Sequence, residues 1–474
     1  LTSSHHQREL RDLAVFLVFF AALAAEALVV PAASRWSPWV KGEPVPLLGL
    51  VEEAPWAEVP LEEAAAWEDT GEEARLPERP PAVPTFLELE GGEMDLFFQA
   101  LLEVESGAPG RIVRVLHWGD STIAADGITG TVRARMQGRF GDGGPGFLPI
   151  KVDPRWVVRP GIARWPKGGW EAWNITEGGA PSPRYGLAGT VARVDGRARV
   201  TLGGLEVEGR RQKTWRFDVH YLKQPGGGTL SLTADKGREQ LVSTNSRRAT
   251  DGYFTVEPDG GAAYLRLRTV TDGPVVVYGV SLETMGPGIT WETLAVAGSS
   301  IDSMRRQGVL HLAQQVERRT PDLLVYQTGG NEMLFDSFLL DDGEAFLWEY
   351  LDVLERLRAG APDASCLLIG PVDQATRIRG RVVSKPMMGR MVELQRRAAA
   401  QAGCGFWDAF HAMGGEGSYA RWMEMDPPLT WSDLVHLSSE GRELVGDTLA
   451  DALLDAYAQW KVAQATLDSD VLSR

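Results

Sequence analysis

Between about residues 151 and 283 the chain is a succession of short alternating runs, such as Ala198-Arg199-Val200-Thr201-Leu202 and Ala263-Tyr264-Leu265-Arg266-Leu267, separated by Gly, Asp and Asn. Such alternation predicts half-buried strands of an antiparallel sandwich. The flanks have a different texture, with short apolar runs alternating with helix-period stretches. Upstream, a helix is predicted near 94–102, a strand over 111–117 and a helix over 123–140. Downstream, strands are predicted at 293–297, 323–326, 366–369 and 405–407, with helices near 303–318, 343–359, 385–401 and 439–457. Strands alternating with helices imply a parallel sheet covered on both faces. The strand over 111–117 needs that same sheet. The β region is therefore expected to be an insertion into one three-layer α/β/α domain.

The N-terminus reads differently. Leu13 to Val30 is apolar apart from Glu26, the short end of a spanning helix. Residues 13–30 are expected to meet a membrane as an uncleaved anchor within 1–34, a cleaved signal segment being the alternative. Pro31-Ala32-Ala33-Ser34 is a poor cleavage site. Residues 35–85 read as an acidic, Pro-rich tether: positions 42–80 hold eleven acids against two bases, Arg75 and Arg79. The remaining divisions fall at 86–150, 151–285, 286–465 and a tail over 466–474. A net charge of −16, from Lys+Arg 48 and Asp+Glu 64, argues against nucleic acid as a partner. Two cysteines, Cys366 and Cys404, exclude a disulfide-dense scaffold and a four-cysteine zinc module. They fall near the starts of two successive strands, which fits either a disulfide or two buried thiols. Nothing in the pattern fixes an oligomeric state.

Four short motifs end strands or precede helices on one side of the inferred sheet. Gly119-Asp120-Ser121-Thr122 places a serine at a strand-to-helix junction, where free backbone N–H groups suit a developing oxyanion. Gly298-Ser299-Ser300 and Gly329-Gly330-Asn331-Glu332 each follow a strand and offer accessible amide N–H groups. Asp433-Leu434-Val435-His436 sets a carboxylate three residues before a histidine, within reach of one ring nitrogen. Each has a bland reading alone, as a helix cap or a tight turn. Their joint placement is what carries the argument.

With these blocks in this order, the chain resembles the SGNH (GDSL-type) hydrolase family over about residues 90–150 and 286–460. The resemblance implies Ser121 as nucleophile, His436 as base and Asp433 as its orienting partner. It also implies an oxyanion hole from the Ser121 and Gly298 N–H groups and the Asn331 side chain, and no cofactor. Glu332 stands where the family more often has Asp. A β-sandwich inserted after the first block further resembles the bacterial peptidoglycan O-acetylesterases, whose insert is similar to a carbohydrate-binding module. The expected function is a serine esterase that removes O-acetyl groups from a cell-wall or cell-surface polysaccharide, in the bacterial envelope outside the cytoplasm. The alternatives are an O-acetyltransferase using the same residues and a catalytically silent glycan-binding protein.

Other signals carry less. Gly141 to Gly146 fits a dinucleotide fingerprint by letter, but it follows a helix and contains Pro145. His117 reads as a packed histidine. His220, His311 and His411 lack paired ligand spacing, so no metal site is expected. Arg210-Arg211-Gln212-Lys213 reads as a solvated turn. Trp156, Trp165, Trp170 and Trp173 open the insert and suit either packing or stacking on sugar rings.

Overall fold

In the strand Ile112–Gly119, Leu116 and Trp118 belong to one hydrophobic core and Val113 and Val115 to another. Period-2 alternation with both faces apolar is what a central strand between two helical layers requires. A computed structural model describes residues 85–472 apart from 153–156, 158, 208–209, 271–272, 336–337 and 339–340. Six strands form the main sheet: β1 (Leu87–Glu88), β2 (Ile112–Gly119), β3 (Gly288–Ala295), β4 (Leu323–Gln327), β5 (Ser365–Ile369) and β6 (Gly405–Trp407). Their spatial order is β1-β6-β5-β4-β2-β3, parallel throughout except for β1 at the edge. The direction of winding reverses beside β2, and the carboxyl ends of the strands there form the crevice in which open α/β sheets bind ligands.

One face is covered by α1 (Asp95–Glu105), α3 (Gly127–Phe140) and α8 (Ser439–Leu472). The other is covered by α5 (Val309–Arg319), α6 (Glu344–Arg358) and α7 (Met388–Ala402). Helix α1 turns Phe97, Phe98, Leu101 and Val104 inward, the stripe its 3.6-residue period produces. Gly403, at φ +64, ends α7 in the left-handed conformation that favours glycine.

The segment between α3 and β3 builds two antiparallel sheets. One runs Thr250–Val256, Arg216–Lys223, Pro274–Glu283, Thr190–Asp195, Glu171–Asn174, with Gly146–Leu148 also pairing along Pro274–Glu283. The other runs Gln240–Ser243, Thr229–Ala234, Tyr264–Thr269, Ala198–Gly204, Ile162–Gly168. Their inner faces share a third core that includes Phe217, Val219, Val277, Leu202, Leu230 and Leu267. The glycines of 141–146 pack on the start of β3. Gly143 donates to the Ile289 carbonyl at 3.0 Å, and a Cβ there would lie 2.6 Å from Ile289 backbone.

Several expectations need correction. The helix predicted over 123–140 is two: α2 (Ser121–Ala124) and α3, broken at Asp126, which takes φ +57. Its buried carboxylate pulls the chain out of helix by binding Thr129 and Thr293 at 2.8 and 2.5 Å and the Arg133 guanidinium. The helix predicted over 303–318 is α4 (Ile301–Arg305) and α5. The break lies where Gln307 and Gly308 bond to the Gly186 and Pro183 carbonyls of the inserted segment, at 2.5 and 2.7 Å. The last helix continues through the predicted tail to Leu472. Cys366 and Cys404 form a disulfide, so the thiol alternative falls. The predicted anchor at 13–30 and the tether up to residue 84 lie outside the described residues; among those described, no helix is long and apolar enough to cross a membrane.

Candidate active site

Ser121 is the first residue of α2, directly after the carboxyl end of β2. The preceding Asp120 caps that helix, its side chain accepting the Thr122 N–H at 2.8 Å. The helix cap and Ser121 therefore share one turn. His436 approaches from the loop before α8. Its Nε2 lies 2.9 Å from Ser121 Oγ, and its Nδ1 lies 2.7 Å from Asp433 Oδ2.

The loop that carries the pair is held tightly. Asp433 Oδ1 accepts the N–H groups of Val435 and His436, both at 2.9 Å. Leu434 takes φ +66, which folds the four residues into a turn, and its carbonyl accepts from Ala375 at 2.8 Å. Partial burial would raise the Asp433 carboxyl, but the His436 and Val435 N–H groups and the imidazole outweigh it and hold the carboxyl below its usual range. An ionised carboxylate on Nδ1–H leaves Nε2 facing the serine as acceptor.

The residues expected as oxyanion donors follow the ends of three strands. Gly298, after β3, has φ +76 and open space on its Cβ side. Asn331, after β4, donates from Nδ2 to the Ser299 carbonyl at 2.8 Å and stands 3.3 Å from Asp120 Oδ2. Ser121, Gly298, Asn331, Asp433 and His436 are thus gathered at one edge of the sheet. Ser121 and His436 open, with Ala295 to Gly298, into a cleft of about 690 Å³. Its opposite wall is supplied by the inserted segment, through Ala172, Trp173, Asn174, Thr176 and Thr190.

The remaining candidates fall elsewhere. His117 is fully buried between Gln327 Oε1 (3.1 Å) and Trp291 Nε1 (3.2 Å), and burial pushes it down to about 3. His311 gives Nδ1–H to Asp251 at 2.7 Å and accepts the Gly186 N–H on Nε2. His220 pairs with Gln315, and His411 with Asp408. Among the described residues no cluster could hold a metal ion. Trp170 is core, Trp165 is exposed and Trp156 lies outside the described residues. Sequence reasoning missed Tyr419, whose hydroxyl lies under the Asp433 loop; no local motif marks it, because the contact spans 14 residues.

Comparison with known proteins bears on the family and the fold. Residues 250–444 match the GDSL-like lipase/acylhydrolase family, a span that includes Gly298, Asn331, Asp433 and His436 but not Ser121. No curated protein matches the chain. Among solved structures, a peptidoglycan O-acetylesterase is similar at TM-score 0.66 and 23% identity, over 79% of this chain and 99% of its own. That share exceeds what the α/β segments alone supply. A salicylyl-acyltransferase of a tetracycline biosynthetic pathway matches at TM-score 0.29 and 12% identity, over 63% of this chain and 95% of its own. A family two carbohydrate esterase from Cellvibrio japonicus matches at TM-score 0.25 and 9% identity, over 61% and 98%. The last two are too distant to bear on the argument. The family match takes in three of the four motifs, that of Ser121 lying upstream of it, and the chain is an enzyme similar to the SGNH (GDSL-type) hydrolases, with a fold that resembles an O-acetylesterase.

Proposed function

We propose that the protein is a serine esterase that removes O-acetyl groups from a cell-wall or cell-surface polysaccharide, peptidoglycan being the first candidate. The observation that carries this reading is the Ser121–His436–Asp433 relay, at 2.9 and 2.7 Å, opening into a cleft walled by the inserted β segment. Ser121 Oγ attacks the ester carbonyl as His436 Nε2 takes its proton. The oxyanion is held by the Ser121 and Gly298 N–H groups and the Asn331 amide. The C–O bond to the sugar then breaks, and the proton on His436 passes to the leaving sugar oxygen. Water, deprotonated by His436, attacks the acetyl-serine, and acetate and free Ser121 result. The likeness to a peptidoglycan O-acetylesterase supports the substrate class, as does an aromatic side chain, Trp173, in the cleft wall. A site outside the cytoplasm is supported by the Cys366–Cys404 disulfide, a bond that oxidising compartments favour.

The test is acetate release from a small activated acetyl ester and from O-acetylated peptidoglycan, with wild-type chain and Ser121→Ala. Activity on both, lost in the variant, is expected. Activity that survives the substitution would sink the mechanism. Acetylated acceptor glycan formed in place of acetate would turn the reading to transfer.

A further inference from the structure

Beneath the two loops that carry Gly298 and Asn331 lies a closed polar cluster that the reaction above does not use. Glu332 follows Asn331 and is fully buried. Its Oε1 accepts the Ile301 N–H at 3.2 Å. Its Oε2 and the hydroxyls of Tyr326, Thr328 and Tyr350 are buried with it, and none of them bonds outside this cluster. The Thr328 hydroxyl faces Glu332 and both tyrosines, whose rings lie 5.5 Å apart.

Two contacts tie the loops together like rungs. Asn331 Nδ2 donates to the Ser299 carbonyl at 2.8 Å, and one residue on in that loop and two on in the other Ile301 N–H donates to Glu332. The first rung uses the amide that must also meet the oxyanion. The second leaves Asn331 free to shift between its partners without the loops parting. We propose that Glu332 is a positioning residue of the oxyanion hole, clamping the Gly298 loop to the Asn331 loop through Ile301. This rests on the assignment of Ser121 as nucleophile.

The protonation state of Glu332 follows from its surroundings. Burial, and then the Asp120 carboxylate, push its carboxyl up to about 8. The other titratable groups facing it are the hydroxyls of Tyr326 and Tyr350, both neutral in this range. A neutral acid accepts Ile301 N–H on one oxygen and offers an O–H to the hydroxyl cluster on the other. Ionisation would set a second buried anion beside Asp120 and disturb the clamp.

The experiment measures kcat and KM of the full chain on a small activated ester, and the rate of Ser121 labelling by a serine-directed phosphonate, between pH 6 and 9.5. It compares wild type, Glu332→Gln and Glu332→Ala, with Ser121→Ala as blank. The phosphonate oxygen needs the same oxyanion donors but no turnover. Wild type should lose kcat and labelling rate as pH rises through about 8. Glu332→Gln, which cannot ionise, should lack that alkaline limb while keeping most of the activity at pH 7. Glu332→Ala should lose about 10- to 100-fold in kcat with KM little changed, less than the loss of an oxyanion donor itself. An alkaline limb that persists in Glu332→Gln overturns the proposal, as does a folded Glu332→Ala with wild-type kcat and labelling. If Glu332→Ala does not fold, the Glu332→Gln profile decides. An ester-inactive wild type whose Ser121 is still labelled, with these pH profiles, counts against the esterase reading alone.

Discussion

The Tyr419 hydroxyl sits 3.4 Å from Asp433 Oδ1 while it reaches the carbonyls of Trp431 at 2.8 Å and His436 at 3.0 Å. One phenol thus braces both ends of the turn that aligns the carboxylate with the imidazole. Tyr419 is itself fixed, its N–H donating to buried Asp373 at 2.9 Å. Tyr419→Phe should retain the fold and lower kcat by about 3- to 10-fold, the worth of one hydrogen bond. Steady-state kinetics on a small ester checks this, and an unchanged kcat would show that the turn holds without the phenol.

The oxyanion donor and the orienting carboxylate should fail in different ways. Asn331→Ala is expected to cost about 10²- to 10³-fold in kcat with KM nearly constant, because the amide works on the charged intermediate. Asp433→Asn should cost on the order of 10⁴-fold, since the amide favours the wrong imidazole tautomer. A large KM change in Asn331→Ala would place that side chain in ground-state binding instead.

Trp173, from the inserted segment, lines the same cleft as Ser121. Trp173→Ala should reduce kcat/KM on an O-acetylated glycan by about 3- to 10-fold, the range of one aromatic contact. Hydrolysis of a small ester, which reaches only the serine, should change less. Equal losses on both substrates would mean that the indole shapes the cleft without meeting sugar.

The Cys366–Cys404 bond closes a loop of separation 38 between adjacent strands. Replacing both cysteines by alanine should cost roughly 3–4 kcal/mol by loop-closure entropy. Denaturant unfolding would measure it, and thiol titration of the unfolded, unreduced wild type should find no free thiol.

Glu332 also predicts a pH dependence of stability. The folded chain keeps this proton up to about 8, whereas the unfolded chain releases it near 4.5. The native state therefore loses stability as pH rises between those values, and no further above them. Melting temperatures of wild type and Glu332→Gln should separate in favour of the variant across that window. A constant gap from pH 4 to 9 would show that the carboxyl ionises normally in the fold.

The sheet strands and the Ser121 and Asp433–His436 motifs were legible because each is written in a few adjacent residues. Leu323–Gln327 is apolar enough to be a buried strand whatever surrounds it. What could not be read was set by distant partners. Asp126 leaves helix geometry because Thr293, 167 residues away, and the half-buried Arg133 bind its carboxylate. The break before Gly308 depends on carbonyls of the insert. Trp173 and Tyr419 gain their places near the catalytic residues only through tertiary packing, which leaves no periodic trace.

The neck of the insert is narrow: Gly143 accepts from Thr284 N–H at 3.1 Å, so the chain leaves the α/β body and returns to it within one hydrogen bond. Beyond that neck the insert is not a loose cassette: Ile175, Leu187 and Tyr278 share one core with Leu312 and Tyr326 of the α/β body, and Arg318 reaches Asp218 across the seam. The cleft wall and the strands that hold Ser121, Gly298 and Asn331 are therefore inherited as one packed unit, and a change in either is constrained by the fit of the other.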